Sequence, residues 1–205
     1  MKFFVDDKEK EFFKQNGLLG IEEIFSPEEI DLLRREVEKK VFLHEVKDLA
    51  LSGGEIQKIL FSKKMAQVAF ELAGKSPLRY GYDLFFRCSS APKALSPSIS
   101  PLLICACIPL ESDETIEEHK PVPFILHQED LYLPKGAVLF FAPNVLFSLS
   151  SSQAAPDPSY LLFVYSGLRA QYTYQVGDPF THDLKRLGYV FGDRLKSATH
   201  PILYR

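Results

Sequence analysis

Tyr80-Gly81-Tyr82-Asp83-Leu84-Phe85-Phe86-Arg87 sets Tyr80, Tyr82, Leu84 and Phe86 at alternate positions, against Gly81, Asp83, Phe85 and Arg87. A period of two sends neighbouring side chains to opposite faces, which marks a strand. Downstream, Ala91 to Pro101 is a loop rich in Ser and Pro, and Leu102 to Leu110 is a nearly continuous apolar strand. Pro109 has no N–H for a ladder, so it must stand at an edge, at a bulge or past the last bond. After the acidic loop Glu111 to Glu118 come short strands at Pro123–Leu126, Leu131–Leu133, Ala137–Phe141, Val145–Leu149, Tyr160–Leu168 and Ala170–Tyr174. About eight strands with polar or Pro-containing connections predict an antiparallel sandwich closed by long crossings. A parallel α/β sheet would need a helix between most strands, and the spacing leaves no room for them.

The residues before Pro77 read as helices. Asp6 with Glu9 resembles a capping box opening a helix with Phe12 and Phe13 on its buried side, and Asn16-Gly17 ends it. Gly17 to Phe25 is an apolar extended segment laid against the sheet. Ser26-Pro27-Glu28-Glu29 starts a helix whose Ile30, Leu33 and Val37 share a face. Ser52 with Glu55 starts the next, carrying Ile56, Ile59 and Leu60. Ser62 caps another, with Met65, Val68, Ala69 and Leu72, which Gly74 ends. After Gly177 the helical period returns, with Thr181 as the cap of a segment bearing Leu184, Leu187 and Phe191, and His200-Pro201 and Tyr204 in a tail over the core. One domain of 205 residues is expected, with a helical cover over 1–76, a β core over 77–176 and a C-terminal helix and tail over 177–205.

Composition narrows the function classes. The chain is 46% hydrophobic, enough for a sizeable core, and its formal charge is −3. No segment gathers the Lys and Arg needed to track a phosphate backbone, which argues against nucleic acid as a partner. Cys88, Cys105 and Cys107 are wrongly spaced for a disulfide scaffold or a structural zinc site. Asp6 and Asp7 interrupt the opening apolar residues before a signal peptide forms, and no segment reaches transmembrane length. The expectation is a cytoplasmic protein without a membrane role, its partner a small molecule or another protein.

Phe12-Phe13-Lys14-Gln15-Asn16-Gly17-Leu18-Leu19, followed by Phe25-Ser26-Pro27-Glu28-Glu29-Ile30-Asp31-Leu32-Leu33, resembles the opening of the phytanoyl-CoA dioxygenase family. Lys135-Gly136-Ala137-Val138-Leu139-Phe140-Phe141 resembles that family's turn and strand before its second iron-binding histidine. The resemblance implies a mainly β fold with α cover: a double-stranded β-helix, or cupin-like jelly roll, with N-terminal helices. It also implies Fe(II) and 2-oxoglutarate, the iron held by a His-x-Asp or His-x-Glu pair and one distant His. The pair should lie between Arg87 and Leu102, where no His, Asp or Glu stands. The distant His should lie at Leu146 to Ser148, where Phe147 or its neighbours take the place. The Arg expected on Tyr160 to Leu168 is missing, and Arg169 lies just beyond.

His127-Gln128-Glu129 repeats the His-x-Glu spacing, and His182 offers a third ligand. Strand counting puts the first two at a turn and His182 after the core has closed, so no metal site and no cofactor are expected. The alternative takes His127, Glu129 and His182 as the iron ligands, with 2-oxoglutarate as cosubstrate. A pocket at the barrel mouth is expected to draw on Asp83, Arg87, Ser98, Phe147 and Tyr172, with Asp83 and Arg87 as an interior polar pair. Cys88 has no adjacent base, and catalytic residues are not assigned. The reading favours a non-catalytic, dioxygenase-like binding or regulatory protein, a pseudoenzyme that has lost its iron site. The alternative is an Fe(II)/2-oxoglutarate-dependent oxygenase that hydroxylates a small organic substrate through a displaced ligand set.

Overall fold

A computed structural model describes residues 5–44, 46–74, 76–87, 95, 98–110, 122–126, 129–145, 148–149, 158–176, 178 and 180–205. Four helices precede most of the sheet: α1 (Asp7–Asn16), α2 (Pro27–Phe42), α3 (Gly54–Leu60) and α4 (Lys63–Leu72). The strands are β1 (Leu18–Ile21), β2 (Leu78–Arg87), β3 (Ile99–Pro109), β4 (Val122–Leu126), β5 (Glu129–Leu133), β6 (Val138–Phe141), β7 (Ser148–Leu149), β8 (Ser159–Tyr172) and β9 (Ile202–Tyr204). They form a six-stranded sheet ordered β1-β6-β3-β8-β2-β9 and a three-stranded sheet ordered β5-β4-β7. Every pairing is antiparallel. This is the mainly β, helix-covered jelly roll expected from the strand spacing. Among the described residues no helix is long and apolar enough to cross a membrane.

The helix signals were local; the apolar faces hold, two of the five expected N-caps form, and Ser62 stands at the start of α4 without a side-chain cap bond. Asp6 and Ser26 both make reciprocal capping boxes, and Ile30, Leu33 and Val37 are fully buried. Phe12 is a correction: it is 49% exposed, and Phe13 alone turns inward from α1. Ser52 caps nothing, because its hydroxyl donates to the Leu49 carbonyl inside a short 3-10 helix, Leu49–Ser52. The apolar segment after Gly17 enters the large sheet as β1, paired with β6. The two strands expected over 160–174 are one, β8. Its span lets it pair with β2 on one side and β3 on the other. Pro109 ends β3 opposite Tyr160, and the next N–H, that of Leu110, donates to the Ser159 carbonyl at 3.0 Å. Beyond residue 177 the expected α-helix is a 3-10 turn, Asp183–Leu187, ended by Gly188 at φ 77. Thr181 does not cap it; its hydroxyl accepts the Gln175 N–H instead.

The large sheet has two buried faces. One packs against the helices through Ile30, Leu33, Leu60, Met65, Tyr80, Ile104, Phe140, Phe163 and Tyr165. The other is joined by Leu133 of the small sheet and carries Tyr82, Leu84, Phe86, Cys105, Cys107, Phe141, Tyr160, Leu162 and Tyr172. Strict alternation would put Tyr80 beside Tyr82. A register shift between them sends Tyr80 to the helical side instead, with Phe85. Gly81 sits at that shift, where a Cβ would meet the Val164 carbonyl oxygen at 2.8 Å.

Candidate functional site

Strand directions decide which ends of the barrel meet. β3 begins at Ile99 opposite Tyr172, the end of β8, and both β6 and β8 run antiparallel to β3. β6 and β8 therefore point the same way, although β6 stops at Phe141 opposite Cys105 while β8 runs on to Tyr172 opposite Ile99. β7 follows β6 after a short connection and pairs antiparallel with β4, Ile125 against Ser148. The end of β4 and the start of β5 thus face the same end of the barrel, and β5 opens with Glu129. Tyr172, buried on the inner face, donates to the Thr181 carbonyl, which brings the C-terminal segment carrying His182 to that end as well. His182 is exposed and lies near the rings of Tyr174 and Phe191, at 6.2 and 5.9 Å between centroids. Glu129 and His182 are separated by 53 positions in sequence, and strand directions point the start of β5 and the His182 segment toward the same side of the barrel. His127 lies outside the described residues, and of Glu129 only the backbone is described.

The expected pocket set does not assemble. Asp83 and Arg87 are not a pair, because Asp83 points under the helical layer. It accepts the Leu49 N–H at 2.8 Å, the Ala50 N–H at 2.9 Å and the Tyr80 hydroxyl at 2.8 Å. Arg87 is exposed and stands opposite Ser159, at the start of β8. At ~3.3 Å per residue, the length of β8 puts it roughly 40 Å from Tyr172. Ser98 and Tyr172 do come together: Ser98 is buried, and its carbonyl accepts the Thr173 N–H at 2.8 Å. Phe147, Cys88 and Ser96 lie outside the described residues.

Iron would need two imidazoles and a carboxylate, or close substitutes, converging on one point. Among the described residues no three His, Cys, Asp or Glu stand together. Inside the barrel the nearest donor types are Cys105 and Cys107, both buried, and burial pushes both thiols up, which keeps them protonated and poor ligands. His200 is buried on the opposite side, beside Tyr189 and Thr199. The places where the family would hold its metal, between Arg87 and Leu102 and at Leu146 to Ser148, lie mostly outside the described residues.

Sequence reasoning missed two features. Lys47 bridges Asp183 at 3.2 Å and lies over the rings of Tyr82 and Phe180, which ties the C-terminal segment across the barrel end. Asp48 joins Asp83 through Tyr80. Both contacts are long-range, and no local spacing announces them.

No protein-family model and no curated protein matches the chain. Solved structures do. The carbocyclase SnoK of nogalamycin biosynthesis, non-heme and alpha ketoglutarate dependent, is 14% identical with a TM-score of 0.74, and 96% of each chain is covered. The epimerase SnoN of the same biosynthesis is 17% identical with a TM-score of 0.73, over 97% of this chain and 98% of that one. HygX from Streptomyces hygroscopicus is 16% identical with a TM-score of 0.63, over 93% and 98%. The expectation of no cofactor does not stand. SnoN is solved with Fe3+ and alpha ketoglutarate, and HygX with nickel and 2-oxoglutarate and with iron. This chain carries the jelly-roll fold of SnoK, SnoN and HygX.

Proposed function

We propose that this chain is an Fe(II)/2-oxoglutarate-dependent oxygenase of a small organic substrate, its metal held by a displaced ligand set at the barrel end where β5 begins. The observation behind this reading is that strand directions point the start of β5, at Glu129, and the His182 segment toward the same side of the barrel. The near-complete overlap with SnoK and SnoN supports the reaction class. His127, two residues before Glu129, would be the second imidazole. The capped-helix opening of α1 and α2 supports a phytanoyl-CoA dioxygenase-like branch. The test is anaerobic titration with ferrous iron and 2-oxoglutarate. A stoichiometric metal-to-ligand absorption band that needs both components, and is lost in Glu129→Ala, is expected. No band in the wild-type chain would overturn the reading.

A second reading is favoured by a specific observation: residues 88–101 hold no His, Asp or Glu, and the described inner face is apolar. On this reading the chain is a binding or regulatory protein that keeps the fold after losing the family's iron site. It is the reading that a missing band would leave.

A further inference from the structure

Three polar groups meet between β2 and the segment that leads into the 3-10 helix at Leu49–Ser52, Tyr80 and Asp83 fully buried and Asp48 half-buried. The Tyr80 hydroxyl lies 2.8 Å from Asp83 Oδ2 and 3.0 Å from Asp48 Oδ1. It also accepts the Asp83 N–H at 3.2 Å. A phenol has one hydrogen, so it can donate to only one of the two carboxylates. The Leu49 and Ala50 N–H groups also point at Asp83. The second phenol contact is then oxygen against oxygen, and it is attractive only when one of the two carboxylates carries a proton of its own.

Lys47 is the cation that favours an Asp48 anion, against the burial that disfavours it, and its Nζ is shared with Asp183 at 3.2 Å. His200, whose ring centroid lies 5.8 Å from that of Tyr80, is held down to about 4 by burial, with Arg79 and Lys47 adding to it, so it is neutral. Arg79 on β2 donates to the His200 carbonyl at 2.5 Å. The remaining packing around Tyr80 is Phe61 and Phe163, which carry no charge. Burial, with the Asp48 charge adding to it, pushes Asp83 up to about 7, and burial likewise raises Asp48.

We propose that Asp48, Tyr80 and Asp83 form a one-proton latch that fastens residues 46–52 to β2 and, through Lys47, sets the grip on the C-terminal segment at the barrel end. The segment lies along β2 by the Phe85 N–H to Val46 carbonyl and Asp48 N–H to Asp83 carbonyl bonds, at 2.7 and 3.0 Å. Closed, the latch holds its proton; open, both carboxylates reach water and release it. Opening therefore becomes easier as pH rises, by about tenfold per pH unit from about pH 4, the ordinary carboxylate range, up to the raised value near pH 7.

Amide hydrogen exchange on the full chain, corrected for the intrinsic pH dependence, reads this directly. Between about pH 5 and about pH 7 the protection of the Leu49 and Ala50 amides should fall about a hundredfold, and that of Lys185 should fall with it. In Asp48→Asn the amide donates to Tyr80 and one charge of the pair is gone, so protection should fall much less across the same range, with burial alone acting on Asp83. Wild-type protection that does not fall, or an Asp48→Asn chain that falls in parallel, would overturn the latch. A fall confined to Leu49 and Ala50 would overturn its link to the C-terminal segment. Should Asp48→Asn not fold, infrared spectra of the wild-type chain decide. A buried protonated-carboxyl stretch at about pH 6 that vanishes at higher pH is expected, and its absence counts against the proton.

Discussion

At the residue scale, Gly81 is the position where backbone geometry outweighs side-chain pattern. It lies at the register shift that turns Tyr80 toward Asp48, and a Cβ there would press on the Val164 carbonyl at 2.8 Å. Backbone cannot yield as a flexible side chain does. Gly81→Ala is therefore expected to destabilise the fold by about 1–3 kcal/mol, as overpacking does. Urea unfolding measures this, and a variant with an unchanged midpoint would show that β2 absorbs the methyl. The alternation Tyr80, Tyr82, Leu84, Phe86 identified a strand but gave the wrong face for Tyr80. A shift of one residue in pairing is not written in side-chain periodicity.

At the element scale, the helical cover was readable because its signals act within four residues. Ser26 accepts the Glu29 N–H at 3.2 Å, and the Glu29 carboxylate accepts the Ser26 N–H at 2.8 Å. Ser26→Ala should destabilise the protein by about 1 kcal/mol, the usual contribution of an N-cap. Thermal melts would check it; no loss would mean that α2 is held by Ile30, Leu33 and Val37 alone. Ser52 and Thr181 had the same chemistry in sequence and did not cap. Their hydroxyls found partners that the fold supplied, the Leu49 carbonyl and the Gln175 N–H.

At the scale of the whole molecule, C-terminal closure buries His200 against Tyr189, Thr199 and Arg79. Burial, then the Arg79 and Lys47 charges, lower it from 6.5 to about 4. A histidine depressed in the folded state is neutral there while the unfolded chain still binds a proton. Its contribution is complete above the unfolded value near 6.5 and is lost as pH falls toward 4. The stability difference between wild type and His200→Asn should therefore grow by up to about 3 kcal/mol from about pH 4 to about pH 6.5. Denaturant midpoints taken at each pH check this. A difference independent of pH would mean that His200 charges in place.

What the sequence determined alone was what neighbours along the chain determine: the strand class of 80–87, the caps of α1 and α2, the apolar faces of the helices. The missing His, Asp and Glu between Arg87 and Leu102 is likewise a fact of sequence. Tertiary structure decided which ends meet. Only the antiparallel order β5-β4-β7 and β6-β3-β8 points the start of β5 and the His182 segment the same way along the barrel, and sets Arg87 at the far end of β8 from Tyr172. Only the β2 register shift, with residues 46–52 laid along β2, joins Asp48 to Asp83 through Tyr80. Those contacts link groups 32 to 35 positions apart, or more, and such distances are set by chain direction and packing rather than by local period.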